Sequence, residues 1–377
     1  MGERKVPEPF VVEPWWDRFG AEAVALLRSI AHNPDDAEPR LVLADFLEEA
    51  GEVDRAEFIR LQVEQMPFRQ GQVRCDIQEW TLREQELLDQ HEKEWLAGLP
   101  EGLEWFFWGG LVEGVVVGSV ADWQQAVGVV DVRRVVWQGG GSLFLEHAQL
   151  LAGLVALDLK YNDLGSAGAE ALAKSPHLTN LRELDLEYNW IGDAGAEALA
   201  KSSHLTNLRV LNLEDNGIGD AGAEALAQST SHLTNLRVLN LSCNGIGELG
   251  ARVLAWSPHL TNLRVLNLSS NKIGPAVALA LALFRLRHLT NLRKLDLWNN
   301  KIGDAGARAL ALSPHLTNLR ELDLSSNGIG DAGAEALAES PHLTNLRVLN
   351  LRNNKIGDEG AAALKNSPYL RRCRILT

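Results

Sequence analysis

Cysteine, methionine and tyrosine are scarce in this chain, and long apolar runs are absent. Its three cysteines, Cys75, Cys243 and Cys373, lie far apart with neither CxxC nor metal-ligand spacing. That excludes a disulfide framework and points to a reducing compartment, with a cytoplasmic location as the expectation. No stretch approaches the roughly 18 apolar residues of a membrane span, and no membrane partner is expected. The most apolar segment, "AVALALALF", runs for nine residues before Arg285. The amino terminus, "MGERKVPEPFVVEPWWDRFG", lacks the apolar core of a signal peptide. Basic residues are outnumbered, 36 Lys and Arg against 50 Asp and Glu, for a net charge of −14. The deficit is uneven: residues 1–150 carry −15, 151–250 carry −7 and 251–377 carry +8. An acidic front argues against a general nucleic-acid binder. Catalytic signatures are missing too. There is no GxSxG and no P-loop, and "HEKEW" at 91–95 lacks the second histidine of a zincin. No nucleophile–base pair stands out, so neither an enzyme nor a cofactor or metal is expected.

What is present is a repeat. The unit "LTNLRELDLEYNWIGDAGAEALAKSSH" starts at Leu178 and recurs to the end of the chain. Its asparagine falls at Asn162, Asn189, Asn216, Asn244, Asn271, Asn300, Asn327 and Asn354, at intervals of 27 to 29 residues. Within "LRELDLEYN", Leu181, Leu184 and Leu186 predict a buried side and Glu183, Asp185 and Glu187 an outward one, as a strand requires. The asparagine then turns the chain, its amide available to unpaired backbone groups. Asp193 occupies a helix N-cap position ahead of "AGAEALA". Gly195 and Ala196 let that helix approach the sheet. A single unit cannot bury its own apolar face, and stacked units can.

These residues resemble leucine-rich repeats, and the long period with a G-D-x-G-A helix start resembles the ribonuclease-inhibitor type. The resemblance covers residues 151–377. It implies an α/β solenoid with a parallel sheet on the concave face, helices on the convex face, and eight units. Residues 101–150 read as degenerate units forming an amino-terminal cap: "LVEGVVV" (111–117) and "VRRVVW" (132–137) as strands, "ADWQQAVGVV" as the helix between them. At the other end "YLRRCRILT" puts Leu370, Cys373 and Leu376 in the leucine slots and leaves a last strand without a capping helix. An unpaired edge of this kind suits a covering partner or a second copy, or is a tolerated charged end.

Residues 1–16 read as a tail and 17–100 as a small all-α domain with a connecting helix. The stretch "NPDDAEPRLVLADFLEEAGEVDRAEFIRLQ" resembles the repeat-companion domain that precedes repeat arrays in certain bacteria; that family brings no catalytic residue with it. Trp95, Trp105, Phe106, Phe107 and Trp108 are expected to pack where this domain meets the repeats.

Three motifs invite a chemical reading. GxGxxG occurs at 217–222, 245–250 and 328–333. Its first glycine slot holds Asp163, Trp190, Lys272, Lys301 or Lys355 in sister units, which favours turn geometry over dinucleotide binding. His177, His204, His232, His259, His288, His315 and His342 form a column, one per coil, expected to make a turn hydrogen bond after each helix rather than bind metal. Arg182, Arg209, Arg237, Arg264, Arg293, Arg320 and Arg347 form another, read as a structural charge ladder against acids and amides such as Asp185, Asn212, Asp296 and Asp323, with anion binding as the alternative.

Constant positions build a solenoid and variable ones recognise a ligand. Tyr161, Glu183, Glu187, Tyr188, Trp190, Glu214 and Asp215 form an aromatic, acidic group toward the front of the concave face. Lys272, Lys294, Trp298, Lys301 and Arg352 form a basic one toward the rear. Exposed aromatics ringed by charge suit a protein or peptide ligand, though surface drift would leave the same pattern. On the convex side, the fifth unit is longer and has Pro275 in place of the capping aspartate. Trp256, Leu283 or Phe284, and Leu312 are expected to form an apolar stripe there, available to a partner or a second copy, unless the longer helix buries its own residues. The expected function is non-enzymatic recognition of a macromolecular partner, as adaptor or regulator. The alternatives are an enzyme inhibitor of the ribonuclease-inhibitor type, which the low cysteine content disfavours, and a structural component of an assembly.

Overall fold

A computed structural model describes residues 14–34, 36–66, 81–127, 132–140, 151–229, 233–275 and 290–377. The chain divides into two compact units, Met1–Gly139 with Gln149–Asp158, and Gly140–Ala148 with Leu159–Thr377.

The first unit begins with four helices: α1 (Gly20–His32), α2 (Glu38–Glu49), α3 (Val53–Gln65) and α4 (Leu82–Trp95). Leu27, Ile30, Leu43, Leu47 and Ile59 recur at helical spacing and share one core with Trp16 and Leu111. Helix α4 starts with a capping box: Thr81 Oγ1 accepts from the Glu84 N–H while the Glu84 carboxylate accepts from the Thr81 N–H. Strands β1 (Glu104–Trp108) and β2 (Leu111–Val117) then form an antiparallel hairpin. After α5 (Val120–Val127), β3 (Arg134–Trp137) pairs parallel to β2, and β4 (Ala156–Asp158) parallel to β3. The two strands and the helix expected between 111 and 137 are therefore present. The aromatic run "EWFFW" is, in addition, a strand that sequence periodicity did not show, because consecutive aromatics on a strand buried on both sides have no alternation to read.

A buried arginine fastens helix α2 to this hairpin. Arg40 is fully buried; it donates to the carbonyl oxygens of Trp108, Gly109 and Pro34 at 3.1, 3.1 and 3.2 Å and forms an ion pair with Glu113. The hairpin turn is Gly109–Gly110, both at positive φ. A Cβ on Gly109 would sit 2.8 Å from the guanidinium, and one on Gly110 would sit 2.5 Å from the Ile59 backbone, so both positions require glycine. Nearby, Trp95, Phe58 and Phe107 pack edge to face or tilted, with the Arg55 guanidinium 4.5 Å from the Trp95 ring centre. Trp95, Trp105, Phe106, Phe107 and Trp108 are all buried, as their expected packing role requires.

The second unit is the repeat array. Strands β5 (Glu183–Asp185), β6 (Val210–Asn212), β7 (Val238–Asn240), β8 (Val265–Asn267), β9 (Lys294–Asp296), β10 (Glu321–Asp323), β11 (Val348–Asn350) and β12 (Arg374–Leu376) follow one another in a parallel sheet. Helices α6 (Gly165–Lys174), α7 (Gly192–Ala200), α8 (Asp220–Ala227), α9 (Glu248–Trp256), α10 (Gly303–Ala311), α11 (Asp331–Ala338) and α12 (Asp358–Asn366) provide the return segments. Leu184, Leu211, Leu239, Leu266, Leu295, Leu322 and Leu349 stand opposite one another in register, all buried. At about 1.5–3 kcal/mol for each buried leucine, this column and its neighbours hold the coils together.

Strands of three residues leave much backbone to satisfy, and three side-chain ladders do it. The first is the asparagine. Asn300, with no exposed surface, accepts at Oδ1 from the N–H groups of Asn271 and Ile273 and donates from Nδ2 to the carbonyls of Leu268, Leu297 and Trp298. Asn189, Asn216 and Asn327 do likewise. The second is the serine after each helix: Ser202 Oγ donates to the Ala173 carbonyl one coil back at 2.6 Å and accepts from the His204 N–H at 3.2 Å. The turn bond assigned to the histidine ring is thus made by this hydroxyl and the histidine backbone, because the hydroxyl both donates and accepts at close range.

The third ladder corrects the reading of Asp193. It lies inside α7, not at its cap, and its carboxylate caps the next coil: Oδ1 accepts from the N–H groups of Gly219 and Gly222 at 2.7 and 2.9 Å. Asp220, Asp304 and Asp331 repeat the arrangement. Where the preceding coil offers this aspartate, the receiving glycine (Gly219, Gly247, Gly330, Gly357) is extended and caps the helix. Where it offers Ser166, Glu248 or Pro275, the equivalent glycine (Gly192, Gly274, Gly303) is left-handed instead, and its N–H turns to the carbonyl of the next coil's asparagine. Gly195 also differs from expectation: a Cβ there would lie 2.3 Å from Ile191 and 3.0 Å from Ala169 Cβ, so the close approach is between neighbouring helices rather than helix and sheet.

At β12 the register slips. Ile375, not Leu376, stands opposite Leu349. Leu370 is buried as its slot requires, while Cys373 is half-buried.

Candidate functional site

The residue before each ladder asparagine is left-handed whatever its type: Tyr161, Tyr188, Asp215, Cys243, Ser270, Asn299, Ser326 and Asn353 all have φ between 49° and 58°. That conformation costs a non-glycine residue about 1 kcal/mol or more, and the asparagine ladder imposes it. The side chains at this slot are therefore presented by a fixed frame.

On that frame the structure brings together part of the aromatic, acidic group. The Tyr161 and Tyr188 rings stack with centroids 5.0 Å apart. The Tyr161 hydroxyl donates to Glu187 Oε1 at 2.9 Å, and Asp215 faces the Tyr188 hydroxyl. Both phenols are held above their ordinary value, Tyr161 chiefly by its bond to Glu187 and Tyr188 chiefly by the Asp215 carboxylate, so both stay protonated donors. Glu187 and Glu214 are anchored by Asn212 and Asn240 amides at 3.4 and 2.9 Å. Tyr161 is 65% exposed, Tyr188 42% and Trp190 71%. Trp190 sits on the far side of the ladder asparagine, left-handed itself, outside the tyrosine stack. Glu183 does not join the surface: it is buried, as is Asp185.

The basic group is more dispersed. Trp298, Lys272, Lys301 and Arg352 are exposed, and Lys294 pairs with Glu321 at 3.4 Å. Between them, Asp296 is raised above the ordinary carboxylate range, first by burial and then by Asp323 opposite it, against the opposing effect of the Trp298 N–H. On the helix side, Trp256 and Leu312 are exposed, with the Arg252 guanidinium 5.4 Å from the Trp256 ring centre. Leu283 and Phe284 fall outside the described residues. Leu249, seven residues before Trp256 on α9 and 54% exposed, belongs to the same helix face and was missed. Its signal was a leucine in a slot that holds alanine in every sister unit but the last, which has Glu359.

The other motifs resolve into structure. In "GIGDAG" at 217–222, Gly217 is left-handed, and Gly219 and Gly222 donate to Asp193. The N–H groups that would receive a phosphate are already occupied by a carboxylate. From Arg237 to Arg347 the arginine column is not a charge ladder: these five side chains make no ion pair among the described residues, and Asp296 and Asp323 instead accept from the N–H two residues on, at 3.0 and 2.8 Å. No helix among the described residues is long and apolar enough to cross a membrane.

Comparison with known proteins agrees with this architecture. The family model described as Leucine Rich repeats (2 copies) matches residues 206–253, 234–280, 290–339 and 317–366, and that described as Leucine Rich repeat matches 154–173 and 177–200. No curated protein matches the chain. Among solved structures, an internalin from Listeria monocytogenes is similar at 22% identity, covering 70% of this chain and 86% of that one, with a TM-score of 0.36. With repeat matches over just over half of its length and an unbroken asparagine ladder between them, the chain belongs to the leucine-rich-repeat proteins.

Proposed function

We propose that this protein is a non-enzymatic recognition module, an adaptor or regulator, that binds a protein partner on the strand side of its repeats. The observation that carries the reading is the stacked Tyr161–Tyr188 pair, exposed, fixed by the left-handed frame and bonded to Glu187. Rigid aromatics with few rotors lose little entropy on binding and dominate interface energetics. The partner segment presents basic groups to this acidic end, while Trp298, Lys272, Lys301 and Arg352 serve a second contact. The helices preceding the repeats act as a mounting domain of the repeat-companion kind, and the protein works in the cytoplasm. The exposed Trp256, Leu249 and Leu312 are a secondary surface for self-association.

The test is affinity capture followed by reconstitution of the captured protein with purified chain. The Tyr161→Ala/Tyr188→Ala variant should weaken that complex by about 2 kcal/mol or more, the scale of an aromatic anchor. A complex of unchanged affinity in that variant and in Trp298→Ala would overturn the reading. Light scattering of the purified chain decides self-association: a monomer at high concentration rejects it.

A further inference from the structure

Six arginines of the column, Arg209, Arg237, Arg264, Arg293, Arg320 and Arg347, line a groove of about 760 Å³ together with the asparagine two residues ahead of each. It lies one residue before the strands, apart from the tyrosine pair, which follows them. The arginines are in register: the N–H of each donates to the carbonyl of the preceding one at 2.7 Å, from Arg237 to Arg347. Their Cα atoms therefore repeat at the strand spacing of about 4.8 Å.

The asparagines of the groove are tied down. Asn235, Asn262, Asn318 and Asn345 donate to the threonine carbonyl of the previous coil at 2.7 to 2.9 Å. Five of the six guanidiniums are not. Arg237, Arg264, Arg293, Arg320 and Arg347 make no side-chain hydrogen bond or ion pair among the described residues. Glu321, the acid nearest in sequence, is engaged by Lys294. The segment "HLTNLR" that carries each arginine holds no Asp or Glu in any of its copies, within a chain of net charge −14. Like charges one strand apart repel. A row of them without counter-charge is a cost to the fold that a bound anion would relieve.

The lining selects among anions. A guanidinium fork matches carboxylate or phosphate in bidentate fashion. Single-stranded nucleic acid is gripped by aromatic stacking as well as charge, and this groove is lined by arginine and asparagine alone. An extended peptide sets same-side carboxylates about 6.8 Å apart, so two such steps span nearly the same length as three coils. We propose that this groove binds an extended, glutamate- or aspartate-rich polypeptide, its carboxylates forked by Arg237 to Arg347.

The experiment is fluorescence anisotropy of the full chain with a fluorescein-labelled decaglutamate at low salt, beside decaglutamine, decathymidylate and inorganic polyphosphate. Decaglutamate should bind, with affinity falling as salt rises, and decaglutamine should not. Arg264→Gln/Arg293→Gln/Arg320→Gln should lose roughly tenfold or more in affinity, and the same three positions changed to Lys should lose less, since charge remains without the fork. Circular dichroism checks the fold, and the single Arg320→Gln variant serves if the triple variant does not fold. The Tyr161→Ala/Tyr188→Ala variant should bind decaglutamate unchanged, which separates this groove from the tyrosine surface. The proposal is overturned by absence of decaglutamate binding, by unchanged affinity in the glutamine variants, by loss in the tyrosine variant, or by decathymidylate or polyphosphate binding more tightly through the same arginines.

Discussion

Asn300 serves five backbone groups from two coils with one amide and has no exposed surface. Replacing it with alanine strands buried donors and acceptors that each cost about 1–3 kcal/mol unpaired, so Asn300→Ala should lower stability by about 3 kcal/mol or more in urea denaturation. An unchanged midpoint would show that water or relaxation replaces the amide. Asp296 makes the opposite case. Burial raises its carboxyl, so the folded state holds the proton more tightly than the unfolded chain does. Ionisation therefore costs nothing in acid, and its penalty grows as pH rises from the unfolded value through the folded one to neutrality. Sister coils place Asn212, Asn240, Asn267 and Asn350 here, accepting from the N–H two residues on just as Asp296 does. Asp296→Asn should thus be more stable than the wild type at neutral pH, with the difference vanishing in acid, as thermal melts across pH will read. The asparagine ladder was legible from the sequence because the same residue returns at a fixed interval. The carboxyl shift was not, since it depends first on how far the stacked coils bury Asp296 and only then on Asp323 opposite it.

Helix starts in this array are decided one coil away. Gly303 and Gly330 occupy the same slot, yet Gly303 is left-handed at φ +62° while Gly330 is extended and caps α11. The difference is Pro275 in one preceding coil and Asp304 in the other, the latter accepting from the N–H groups of Gly330 and Gly333. Alanine avoids the left-handed region, so Gly303→Ala should cost about 1 kcal/mol. At Gly330 the added Cβ meets only an ordinary contact at 3.4 Å from Asp304, and Gly330→Ala should be nearly neutral in the same chemical denaturation. Equal losses would reject the two-state loop. The sequence showed the aspartate and its spacing, and a local reading made it a cap of its own helix. Only the stacking of coils turned the carboxylate onto its neighbour. The extra strand β1 escaped for a related reason: a fully buried strand carries no alternation.

Across the whole molecule, the two units are organised by different means. The first depends on a few buried polar and aromatic contacts made once. Arg40 joins Pro34, Trp108, Gly109 and Glu113 from inside the unit. Removing one partner of a buried pair leaves the other charge unpaired. Arg40→Met should therefore cost about 3–5 kcal/mol, and Arg40→Met/Glu113→Leu should recover part of it in a double-mutant cycle. No recovery would show that the carbonyl contacts, not the ion pair, matter. The second unit repeats the same contacts coil after coil. Its period, leucine column, asparagine ladder and family were fixed by the sequence alone, because each depends on residues that recur at one interval and bury one another in any stacked arrangement. Tertiary structure decided what depends on neighbours that have no fixed sequence distance: that Glu183 is buried, that Tyr161 and Tyr188 stack, that the serine hydroxyl makes the histidine's bond, and that five arginines stand in a row without acids. Burial and pairing are properties of juxtaposed surfaces, and a repeat's period states the order of its coils without stating what their side chains meet.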